Sequence, residues 1–186
     1  AKLNMDYTFS DAVDFSFGSE YTNSYNHQKY NNLERIVEAN NDKVKEQNIA
    51  GFTDFFLELG NWNFDTGLRY EHIVSDYVDL NDNSQSNHRI YNQWFPSTSI
   101  SYENDTFNAE LSYTSKATRP SYKDLSNFVE YASRHLFAGG NPNLTTSVEH
   151  TLEVSSSYKW VEVYVDYEYD SKPIMDWSSL YKTSRN

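Results

Sequence analysis

Apolar and polar residues alternate along most of the chain with a period of two, which places successive side chains on opposite faces of a strand. Eight runs show it. Leu3, Met5, Tyr7 and Phe9 alternate with Lys2, Asn4, Asp6 and Thr8, and beyond Ser10-Asp11-Ala12 the residues Val13, Phe15 and Phe17 alternate with Asp14, Ser16 and Gly18, which predicts a hairpin. A second pair runs from about Ile49 to Leu59 and, after Gly60-Asn61, through Trp62, Phe64, Thr66, Leu68 and Tyr70, with Asn63, Asp65, Gly67, Arg69 and Glu71 opposite. The third pair is Trp94 to Tyr102, a turn at Asn104-Asp105, then Phe107 to Tyr113. The fourth is Val148 to Tyr158, a reversal near Trp160, then Val161, Val163, Val165, Tyr167 and Tyr169 facing away from Glu162, Asp166, Glu168 and Asp170. Turns within pairs are short. The links between pairs, about 23–46, 76–92 and 119–147, are long and polar, and long connections of this kind usually carry function. Helical spacing appears only between Asn32 and Val44, through Leu33, Ile36 and Val37, which predicts a short helix or an unstructured loop there.

The expectation is an all-β fold: an antiparallel meander of about eight strands with short turns at one end and long loops at the other. That asymmetry, with strands of about ten residues, is the pattern of a transmembrane β-barrel. A soluble sheet with one wet face alternates as well. Aromatic residues beside the short turns, at Phe9, Trp62, Tyr102, Phe107, Tyr158 and Trp160, favour the membrane, because amphipathic rings settle at the headgroup level.

Composition narrows the function classes. The 186 residues include 27 acidic and 15 basic side chains, a formal net charge of −12, which argues against nucleic acid as a partner because duplex binding needs a basic face. Cysteine is absent, removing disulfides and thiolate chemistry. No run reaches the roughly 18 apolar residues of a membrane helix.

From Phe95 onward the chain resembles TonB-dependent outer-membrane receptors, specifically the outer membrane protein beta-barrel family. The resemblance rests on Phe95-Pro96-Ser97, Leu111-Ser112-Tyr113, Arg119-Pro120-Ser121-Tyr122, Leu125, Tyr131, Gly140-Asn141-Pro142 and Leu144, in that order, with Gly67-Leu68-Arg69-Tyr70-Glu71 upstream. It implies an integral barrel of the cell outer membrane, in contact with outer-membrane lipid. It also implies uptake of a scarce small-molecule or glycan ligand with energy delivered by TonB through a plug domain. The sequence shows no plug, TonB box, signal peptide or C-terminal aromatic residue. Receptors of this type have about 22 strands. The expectation is therefore that residues 1–186 form one segment of a larger barrel domain, non-enzymatic and without a cofactor.

Candidate ligand-binding residues are Arg119, Tyr122, Tyr131, His135 and Phe137, because recognition concentrates on loops carried by a rigid scaffold and 119–147 is the longest aromatic-bearing link. The competing reading is that these side chains pack the loop onto the barrel rim. No catalytic or metal constellation is legible. The histidines at 27, 72, 88, 135 and 150 occur singly. The acidic residues between Asp76 and Asn87 lack the glycine and terminal glutamate of a calcium loop, and read as a solvated loop. Acid pairs such as Glu149/Glu153 and Glu162/Asp166 recur on the polar face as a wet surface would require. The alternative function is a soluble β-sandwich or small barrel that binds carbohydrate on surface Tyr and Trp.

Overall fold

The computed structural model describes residues 1–30, 40–82, 86–125, 129–133, 136–141 and 143–175. Ten strands and one helical turn occur among them. They are β1 (Lys2–Ser10), β2 (Val13–Tyr30), β3 (Asn40–Leu59), β4 (Trp62–Asp79), β5 (Asn87–Asn104), β6 (Phe107–Thr118), α1 (Tyr122–Leu125), β7 (Val129–Ser133), β8 (Leu136–Gly139), β9 (Ser147–Tyr158) and β10 (Val161–Ser171). Eight strands form one antiparallel sheet in the order β1-β2-β3-β4-β5-β6-β9-β10, and β7 and β8 form a separate hairpin inserted between β6 and β9. All eight strands expected from alternation are present, and β1 and β10 lie at the two edges of the sheet.

The turns at the trimmed end have identifiable chemistry. At the β3–β4 turn Gly60 adopts φ 62°, a left-handed conformation that a side chain would strain. Between β5 and β6, the Asn104 side-chain carbonyl accepts from the backbone N–H groups of Thr106 and Phe107 at 3.0 and 2.9 Å, closing the reversal. A register shift between Thr8 and Ser10 bulges β1 just before its turn.

Two expectations need correction. The links 23–46 and 76–92 are largely strand: β2 pairs with β3 as far as Tyr30↔Asn40, and β4 pairs with β5 as far as Tyr77↔Asn87. Polar alternation such as Asn23, Ser24, Asn26 hides these extensions, because no apolar face marks them. For the same reason the helix expected between Asn32 and Val44 is not borne out at residues 40–44, which are strand; residues 31–39 lie outside the described residues.

Register fixes the two faces. Directly paired residues share a face, and the pairs Leu57↔Phe64, Phe64↔Ile100, Ile100↔Leu111, Leu111↔Val154 and Val154↔Val165 run across five strand boundaries as one apolar row. Trp62, Phe64, Leu68, Tyr70, Val148, Leu152, Val154, Val163, Val165 and Tyr167 therefore lie on one continuous face, as strand parity predicts. Nothing among the described residues covers it: Leu68, Leu152, Val163 and Val165 remain 42–57% exposed.

The buried side chains lie on the other face. Val44, Ala50, Ile73, Tyr77 and Phe95 are buried there, together with Asp42, Asn48, Glu71 and Ser75, towards the long-loop end. That inner face is otherwise polar and acidic, and along β9 and β10 it presents Glu149, Glu153, Glu162, Asp166, Glu168 and Asp170. Phe52 lies flat on it, with the Lys2 ammonium 5.2 Å and the Arg69 guanidinium 5.9 Å from the ring centroid. A side chain at Gly18 would strike both this ring and the Leu3 carbonyl.

Candidate functional site

The segment after β6 is built by the Arg119-Pro120-Ser121-Tyr122 run. Proline cannot donate to a ladder, so pairing of β6 stops at Thr118. Ser121 then caps α1: its hydroxyl accepts from the Asp124 N–H at 3.2 Å, while the Asp124 carboxylate accepts from the Ser121 N–H at 2.8 Å. This is the reciprocal arrangement of a capping box. The Asn141 N–H donates to the Asp124 carbonyl at 2.6 Å, tying the returning chain to this turn.

Ion pairs hold the segment over the inner face. Arg119 pairs with Glu71, whose other carboxylate oxygen accepts from Arg69 Nε at 2.7 Å; Arg69 in turn reaches Glu20 at 3.1 Å. Glu71 is 5% exposed, so its charge is matched by two guanidinium groups in a largely water-excluded position. Tyr122 shares a hydrogen bond of 2.6 Å with Ser24 of β2. Farther along, Arg89 of β5 donates to the Leu144 carbonyl at 2.5 Å. The gap enclosed between sheet and segment, bordered by Ile73, Tyr77, Arg89, Arg119, Leu125 and Leu144, holds only about 30 Å³. That is room for about one water, not a ligand. A larger open cleft of about 280 Å³ lies lower on the same face, between Lys2, Phe52, Asp54, Arg69 and Phe95.

The five candidates are thus placed unequally. Arg119 and Tyr122 converge on the inner face as contacts that fasten the segment to β2 and β4. Tyr131 and Phe137 stand opposite each other in the β7–β8 register. His135 lies outside the described residues. Sequence reading missed Glu71, Arg69 and Arg89 as partners; the only available signal was that Gly67-Leu68-Arg69-Tyr70-Glu71 and Arg119-Pro120-Ser121-Tyr122 belong to one ordered set. No group of metal-ligating side chains occurs among the described residues. His72 bonds Asn92, His150 bonds Tyr113, and His88 pairs with Asp76. Of the acidic run near Asp76, Asp79 accepts from the Asn81 and Asp82 N–H groups, a turn function.

The outer face shows what surrounds the site. Near the short turns Trp62 contacts Tyr102 and Tyr102 contacts Phe107, with ring centroids 4.9 and 6.0 Å apart. Eight residues up β4 and β5 a second belt begins, where Tyr70 contacts Trp94 at 4.6 Å and His150 stacks between Tyr113 and Tyr169. Between the belts no Asp, Glu, Lys or Arg occupies this parity on any strand of the eight-stranded sheet. Eight residues at about 3.4 Å and a tilt of about 40° make a band roughly 21 Å tall, close to the apolar band of an outer-membrane barrel.

The model of the outer membrane protein beta-barrel family matches residues 1–179. The chain belongs to that family. It is accordingly part of a β-barrel of the cell outer membrane. Among solved structures, the sheet is similar to the alcaligin outer membrane receptor FauA from Bordetella pertussis, at 16% identity and a TM-score of 0.55. The match covers 89% of this chain and 27% of that receptor, and at this identity it bears on the fold alone. No curated protein matches the chain. With its uncovered apolar face set in an outer membrane, this sheet is not one layer of a soluble sandwich.

Proposed function

We propose that the chain supplies eight adjoining strands to the barrel domain of a TonB-dependent receptor, a transporter rather than an enzyme. In this reading the segment between β6 and β9 stands at the extracellular mouth. The observation that carries it is the division of the sheet: a charge-free band between two aromatic belts on one face, and on the other an ion-paired polar wall over which the segment is fastened. Such a wall suits a lumen occupied by a plug and crossed by a solute. Edge strands β1 and β10 pair with further strands of the same barrel, and TonB acts through the plug.

Arg119 and Tyr122 serve here as fastening residues rather than direct ligand contacts, since both engage the sheet. Tyr131, His135 and Phe137 remain the proposed contacts to a small-molecule or glycan ligand. Deleting residues 126–138 from the full-length receptor tests the assignment: outer-membrane assembly is expected to persist, with Arg119, Tyr122 and Leu144 retained, while ligand uptake falls at least tenfold. Unchanged uptake in an assembled barrel would remove the segment from recognition, and loss of assembly would assign it to packing instead.

A further inference from the structure

The outward face continues beyond the upper aromatic belt, because β2, β3, β4 and β5 all extend past it. There, among the described residues, it carries His27, Lys29, Lys43, Lys45 and His88 against a single carboxylate, Asp76. Asp76 is engaged by His88 at 2.5 Å. Among the described residues no salt bridge reaches the three lysines, although register sets Lys45 directly opposite Asp76; on the inner face Arg69, Arg119 and Lys116 pair with glutamate, Arg89 donates to the Leu144 carbonyl and Lys2 lies over the Phe52 ring. In a chain of net charge −12, three lysines of β2 and β3 are thus gathered on the surface that faces away from the lumen, directly above the membrane band.

Their height identifies the partner. Gly51 sits opposite Tyr70 in the upper belt, and Lys45, Lys43 and the Lys29↔Asn41 pair lie six, eight and ten residues beyond it. At about 3.4 Å per residue and a tilt of about 40°, the ammonium-bearing positions climb from roughly 15 to roughly 26 Å above the belt. A phospholipid headgroup layer is only about 5–8 Å thick. Lysine stems can reach back down from these positions, but the full ladder matches a lipid whose headgroup is a thick, phosphorylated saccharide. We infer that this outward lysine ladder on β2 and β3 binds the phosphate groups of a glycolipid in the outer leaflet, the chemistry of lipopolysaccharide. The inference rests on the membrane frame and on the extracellular placement of the long-loop end proposed above, not on ligand uptake, so it survives if the proposed transport role fails.

The test uses the full-length barrel in detergent, with purified lipopolysaccharide as probe, either intact or dephosphorylated, and affinity read by native mass spectrometry. At roughly fivefold per lysine near an anionic surface, the combined Lys29→Glu, Lys43→Glu and Lys45→Glu variant is expected to lose on the order of a hundredfold in affinity at low salt. The unsubstituted barrel is expected to bind dephosphorylated lipopolysaccharide as weakly, and Lys116→Glu, on the inner face, is expected to keep full affinity. Equal binding of intact and dephosphorylated lipid by the unsubstituted barrel would overturn the inference. So would full affinity in the triple variant, or an equal loss in Lys116→Glu. If the triple variant fails to assemble, the comparison of the two lipids on the unsubstituted barrel decides alone.

Discussion

Glu71 sits where three parts of the chain meet. Its neighbours in the ion-pair chain are Arg69 two residues away on the same strand and Arg119 beyond β6, and Arg69 also holds Glu20 on β2. Removing the carboxylate leaves Arg69 one acid partner and Arg119 none among the described residues, at a position where hydrogen bonds to charged groups contribute about 1.5–3 kcal/mol. Glu71→Ala in the full-length barrel is expected to destabilise the docked segment by about that amount. Backbone amides of residues 119–125 should then exchange faster, with little change in the amides of β4 and β5. Unchanged protection of Ser121, Asp124 and Leu125 would show that the capping box and the Tyr122–Ser24 bond suffice without the charges.

Strands divide this molecule by parity, and a pair of adjacent residues tests that division cleanly. Leu152 lies in the apolar band and Glu153 on the inner wall, where it accepts hydrogen bonds from Ser112 and Tyr164. Leu152→Arg is expected to cost about 2–4 kcal/mol in lipid, as for a cation near the bilayer midplane of a barrel, with Glu153→Arg much milder. Denaturant titration of both variants refolded into vesicles measures this, and equal penalties would contradict the assignment of faces. Strand existence and facing were legible in the sequence because Val161 to Tyr169 and Trp62 to Tyr70 alternate almost throughout, broken only by Tyr164 on the inner face and Thr66 on the outer. Strand ends were not: in His27–Tyr30 or Asn40–Gln47 the outward face is polar and the inward face carries little more than Val44, so parity leaves almost no trace outside the lipid. The site was legible only as a segment. Ion pairs such as Arg119–Glu71 join residues 48 positions apart, and their partners emerge only when register brings β4 beside the segment.

At the scale of the whole sheet, the acidic wall along β9 and β10 has a cost that the individual strands conceal. Register sets Glu153 directly opposite Asp166 and Glu149 directly opposite Asp170, and like charges so placed oppose strand pairing. Lys116 offsets part of this at Glu149, at 2.5 Å, and the Tyr164 hydroxyl donates to Glu153 at 3.1 Å. Among the described residues nothing neutralises the rest, and the outer side of the sheet is lipid. If mobile ions balance it, the inner wall behaves as a fixed-charge ion exchanger and counterions become a working component of the fold. Raising ionic strength from about 10 to 150 mM shortens the screening length from about 30 to about 8 Å. The unfolding midpoint of the full-length barrel should rise over that range, and this dependence should shrink when Asp166 and Asp170 are replaced by Asn. A midpoint indifferent to salt in both proteins would mean that neighbouring parts of the barrel already neutralise the wall. Salt would then stop being a structural partner and become a bystander.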